Sequence, residues 1–96
     1  MDDKLLLPAR FDSAAAQTVT ENLMVRRGRP LTVGAGQVAF AGALGLQVLI
    51  AARRQWAQSD IAFEVSEPSD ALLDACRALG IAGSEIGISP DPEVAA

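Results

Sequence analysis

The chain has 96 residues, 50% hydrophobic and 21% charged, with three Phe and one Trp as its aromatics and a net charge of −4. That size holds a single domain around one two-layer core, which excludes an enzyme built from separate cofactor and substrate domains, and the acidic balance excludes a general phosphate-backbone binder. One cysteine and no histidine exclude an internal disulfide, a cysteine-based zinc site and the commonest general base.

Lys4 to Leu7 reads as a short strand stopped by Pro8, which cannot donate to a ladder and belongs near an edge. The acidic opening and the short three-leucine run do not read as a secretory signal, and the single cysteine makes the cytoplasm the expected compartment. Asp12 or Ser13 then caps a helix whose Ala16, Val19 and Leu23 form one buried stripe. Gly28 and Pro30 end it, after the basic cluster Arg26-Arg27-Gly28-Arg29, whose charges suit a helix end.

Leu31-Thr32-Val33 is the next strand and Gly34-Ala35-Gly36 a turn after it, with Val38-Ala39-Phe40 extended up to Gly42. The following helix places Gly45, Val48, Leu49, Ala52 and Trp56 on one arc, with Ala43, Gln47 and Arg54 opposite. Its opening, Gly42-Ala43-Leu44-Gly45, has no side chain able to cap the first amides. The longest apolar run, Val38 to Ala52, is shorter than the roughly 20 residues of a membrane span, and no membrane insertion is expected.

Ile61 to Val65 is a third strand, and Ser69 caps a helix with Asp70 in its first turn. Leu72, Ala75, Cys76 and Leu79 form that helix's apolar stripe, and Gly80 is its left-handed stop. Ile81 to Ile88 holds one more short strand or helix, which closes a single domain over residues 1–88 and leaves 89–96 as a frayed tail. The order is α/β: a mixed, mostly parallel sheet of about four to five strands with about three to four helices.

The chemistry-bearing residues are few. Asp70 and Asp74 read as a solvated helix face, and Cys76 on an apolar stripe reads as a small hydrophobe without a base to activate it. Gly34-Ala35-Gly36-Gln37-Val38-Ala39 follows a strand and imitates the dinucleotide fingerprint, which supports an alternative function of binding a nucleotide or other small anion. That alternative expects a helix to begin at Gly36; a strand continuing through Phe40 counts against it. No catalytic residue, metal or cofactor is expected.

In this order the pieces Val38-Ala39-Phe40, Gly45-Leu46-Gln47 followed by Val48-Leu49, Pro68-Ser69 and Leu79-Gly80-Ile81 resemble the STAS domain of anti-sigma-factor antagonists and sulfate transporters. The resemblance runs from about Leu5 to Gly83, and Leu46 to Arg53 is similar to small stand-alone members found beside chemotaxis genes. It implies a STAS-like sandwich acting as a protein-interaction module, with a histidine-kinase-like regulator or an anti-sigma factor as partner and the oligomeric state left open. In regulatory members a serine at the start of the second helix is phosphorylated, adding about two negative charges that switch binding off. Matching Gly45-Leu46 to the family's Gly-Leu puts Gly42 at an aspartate position, Ala43 at the phosphorylated serine and Gly34 at the aspartate after the preceding strand. No Ser or Thr stands between Thr32 and Ser59, so the phosphorylation site is degenerate at Ala43. The expected partner surface is then Gly42, Ala43, Gln47 and Arg54, with Gly34, Ala35 and Gly36 as its lip.

Overall fold

A computed structural model describes residues 3–88, and the tail at 89–96 lies outside the described residues. In chain order the elements are β1 (Asp3–Leu6), β2 (Arg10–Phe11), α1 (Ser13–Val25), β3 (Leu31–Gly34), β4 (Phe40–Ala41), α2 (Ala43–Gln58), β5 (Phe63–Ser66) and α3 (Asp70–Ala78), then a 3-10 turn at Gly83–Ile86. The strands form a parallel sheet in the order β1-β3-β5 and a separate parallel pair, β2-β4. The architecture is thus α/β with parallel pairing throughout, and Ile88 adds a parallel bridge beside Val65.

Register explains which strand residues are inside. The rung Leu5–Val33–Val65 is buried and belongs to one cluster with the apolar faces of all three helices. The neighbouring rungs, Lys4–Thr32–Glu64 and Leu6–Gly34–Ser66, point to the other side, where Lys4, Leu6 and Glu64 are exposed. The sheet therefore has one covered face and one at the surface, and its strands alternate as half-buried strands do.

Side-chain chemistry sets the helix ends. Asp12 Oδ1 accepts from the Ala15 amide at 3.0 Å and Ser69 Oγ from the Leu72 amide at 3.1 Å, so α1 and α3 open on caps. Ala16, Val19 and Leu23 are buried along α1, and the Arg26 guanidinium donates to the Asn22 carbonyl near its end. At the end of α3, the Gly80 amide donates to Arg77 and the Ile81 amide to Cys76, with Gly80 at φ +71°, the pattern of a Schellman stop. That stop corrects one expectation: the chain turns away at Leu79, which is 50% exposed, and Ile81 packs against the core in its place. On α2 the buried set is Gly45, Leu46, Leu49, Ala52 and Trp56, so Leu46 joins the expected arc and Val48 is only half-buried at its border.

Candidate functional site

Each parallel strand feeds a helix, so the N-termini of α1, α2 and α3 gather at the carboxyl end of the strands, where open parallel sheets present their ligand and partner sites. Backbone hydrogen bonds stitch the loops there together. Leu7 donates to Gly34 at 2.9 Å, Ala35 to Ser66 at 3.0 Å, and Ser69 to Ala35 at 3.2 Å. The Gln37 side chain donates to the Leu7 carbonyl at 2.9 Å, and the Ala39 and Phe40 amides share the Ala9 carbonyl. Glu67 sits in the left-handed region at φ 53°, a conformation that costs a non-glycine residue about 1 kcal/mol and is held here between these bonds.

The α2 start differs from the other two. Gly42 is its N-cap in an extended conformation and makes no side-chain capping bond; its own amide donates to the Phe11 carbonyl at 3.0 Å and its carbonyl accepts from Leu46 at 3.2 Å. The amides of the first turn therefore have no side-chain acceptor among the described residues and carry the positive end of the helix dipole. Beside them Phe40 and Leu44 are 45% and 49% exposed, and the Arg10 guanidinium lies 5.0 Å from the centroid of the Phe40 ring. Gln47 is exposed one turn further along, on the Ala43 face.

Of the residues expected at this surface, Gly36, Gly42, Ala43 and Gln47 lie at or beside the α2 start or its loops and are at least partly exposed. Two parts of the expectation need correction. Gly34 and Ala35 are buried: a Cβ at Gly34 would stand 2.7 Å from Leu6 Cδ2, because the Leu6 and Lys4 side chains lie across it, so the exposed lip narrows to Gly36. Arg54 shares the exposed side of α2 but sits about 16 Å along the axis from Ala43; it lines a different hollow with Ile50 and Glu85. Arg10, Phe40 and Leu44 were not foreseen. Phe40 owes its exposed position to the two-residue pairing of β2 with β4, which leaves no periodic trace in sequence.

The glycine turn does not take the dinucleotide-binding form. The β4 strand intervenes and α2 opens at Ala43, well after Gly36, while the Ala35, Val38, Ala39 and Phe40 amides are all engaged by carbonyls of this chain. Cys76 is buried, and burial followed by the nearby Glu85 charge pushes its thiol up, away from the reactive thiolate. Asp70 and Asp74 are exposed, and Asp74 pairs with Arg77 at 2.6 Å. Among the described residues no three His, Cys, Asp or Glu side chains gather as a metal site, and no helix is long and apolar enough to cross a membrane.

Asp12, at the α1 cap, is held below the ordinary carboxylate value by the Ala15 amide, with the Arg10 guanidinium adding to the effect against some desolvation. A folded-state value below the unfolded one means stability is present above the unfolded value and is lost as pH falls through the folded one. Thermal melts should therefore show the wild type losing stability relative to Asp12→Asn as pH drops below 3.8, the ordinary Asp value. Parallel pH profiles for the two proteins would remove Asp12 as a source of acid sensitivity. Compared with known protein families, with characterised proteins and with solved structures, the chain matches none of them.

Proposed function

We propose that this chain is a non-catalytic protein-interaction module of bacterial signalling, of the STAS type, that works in the cytoplasm and docks a partner at the start of α2. The partner on this reading is a histidine-kinase-like regulator of a chemotaxis pathway or an anti-sigma factor. The observation that carries the reading is the uncapped Gly42-Ala43 turn flanked by the half-exposed side chains of Phe40 and Leu44. Apolar side chains next to unpaired amides form a surface that a partner's carboxylate or backbone can satisfy, with aromatic and arginine anchors beside it. Ala43 offers no hydroxyl, so the surface binds without a covalent switch at that position.

Ala43 is exposed, and a glutamate there lies in the first turn, where the dipole favours it, so the fold should survive Ala43→Glu. The tagged wild-type chain, recovered from the cells that produce it, should carry the signalling partner. The Ala43→Glu chain should lose it, with affinity down at least about tenfold, and Ala57→Glu, at the exposed far end of the same helix, should retain it. Recovery of the same partner by all three chains would move the docking surface away from the α2 start.

A further inference from the structure

A second feature lies on another part of the molecule. Between the C-terminal halves of α1 and α2 runs an open groove of about 190 Å³, toward the end of the helices opposite Gly42. Its floor is apolar: Leu23 and Trp56 are nearly buried, Val48 is half-buried and Ala51 leaves a hollow between them. Met24, 59% exposed, forms a flexible apolar rim of the kind that adapts to different partner side chains.

The charge around this groove has a direction. Arg27 is its charged lining residue and makes no ion pair or side-chain hydrogen bond among the described residues. Its neighbours are committed: Arg26 donates to the Asn22 carbonyl, and Arg29 pairs with Asp3 and donates to the Val25 carbonyl. Helix α2 contributes no carboxylate, and Glu21 of α1 does not line the groove. Asp60 follows the end of α2 but does not line the groove, so an occupant apolar along its middle and anionic on the Arg27 side fits the lining.

The groove is a trough and not an enclosed cavity, so whatever fills it keeps one side in water. An amphipathic helix meets that condition, laying apolar side chains at helical spacing on Leu23, Val48 and Trp56 while its polar face stays solvated. We propose that the α1–α2 groove docks an acidic amphipathic helix of a partner protein, with a carboxylate of that helix on Arg27. The surface is separate from the α2 start and does not depend on the function proposed for it.

Trp56 is the only tryptophan and lines the groove, so its fluorescence reads occupancy in the full chain directly. Three synthetic peptides of about five helical turns serve as probes. One carries a leucine stripe flanked by glutamates, the second replaces the glutamates with lysines, and the third scrambles the leucines. The first should bind at least about tenfold more tightly than either other peptide. Arg27→Glu, at an exposed position, should reverse the preference between the first two, and Ala51→Glu should abolish binding. Ala43→Glu should leave it unchanged, which separates this surface from the α2 start. Equal affinity for the three peptides, binding of none, or saturable binding of laurate without the acidic helix would each overturn the proposal.

Discussion

Phe11→Ala should lower stability by about 3–5 kcal/mol, the usual cost of emptying a fully buried phenylalanine site. For a domain whose whole stability is about 5–15 kcal/mol, that loss leaves a chain close to unfolding at moderate temperature. Phe11 has no exposed surface, and its ring packs so tightly on α2 that a Cβ at Gly45 would stand 3.0 Å from Cδ2 and Cε2. Its carbonyl also receives the Gly42 amide, so one residue of a two-residue strand seats the opening turn of α2 twice over. Gly45→Ala in the wild type sets an overpacking cost of about 1–3 kcal/mol against a helix-propensity gain of about 1 kcal/mol, for a small net loss. In the Phe11→Ala background the same substitution fills part of the cavity and should stabilise. Urea melts of the four proteins form a cycle whose coupling should exceed about 1 kcal/mol. Additivity within about 0.5 kcal/mol would mean that something other than the Phe11–Gly45 contact holds the α2 start in place.

The parts of this fold that were legible in sequence are those in which a side chain acts on its own backbone. Asp12 and Ser69 announce the starts of α1 and α3 because each carries the acceptor its helix needs. Gly80 announces a stop because its positive φ suits no other residue as well. The Ala16–Val19–Leu23 stripe is legible because α1 buries one narrow side. Leu46 was not, because α2 is embraced more broadly and buries adjacent positions, Gly45 and Leu46, that a single arc does not distinguish. Strands β2 and β4 are two residues each and exist only by pairing with one another, so neither has a local signature.

The candidate site divides in the same way. The missing cap at Gly42 is a local fact and reads directly from the residues. The burial of Gly34 depends on register: β1 sets Leu6 beside it, and the Leu6 side chain lies across the glycine on the outer face of the sheet. Register of a parallel pair is decided by contacts distant in sequence, so a glycine that reads as a turn is in fact a close-packing position. Arg54 fails for a different reason, since angular position around a helix says which side a residue faces and nothing about which partner surface it shares.

Gly42→Asp should stabilise the fold and weaken partner binding at once, and that opposition is what makes it informative. Gly42 has φ −91°, ordinary for any residue, and a Cβ there would meet the Phe40 ring at 3.7 Å and the Phe11 carbonyl at 3.9 Å, normal van der Waals contacts. The new carboxylate caps an open helix, which is worth a few tenths of a kcal/mol over glycine, and meets the dipole for about 0.3–1 kcal/mol more. Loss of glycine's freedom in the unfolded chain adds about 0.4–1 kcal/mol. A net gain near 1 kcal/mol raises the melting temperature by roughly 4–8 °C in a chain of this size. The same carboxylate occupies the amides proposed to receive the partner and repels an acidic group brought to them, so affinity should fall by at least about tenfold. Weaker binding by a more stable protein cannot come from unfolding, whereas weaker binding by a destabilised variant always can. Gly42→Ser, which caps without charge, should keep most of the stability gain and lose less affinity, separating the competition for the amides from the charge repulsion. If Gly42→Asp raises the melting temperature and the partner still binds with unchanged affinity, the open amides of α2 are not where it docks.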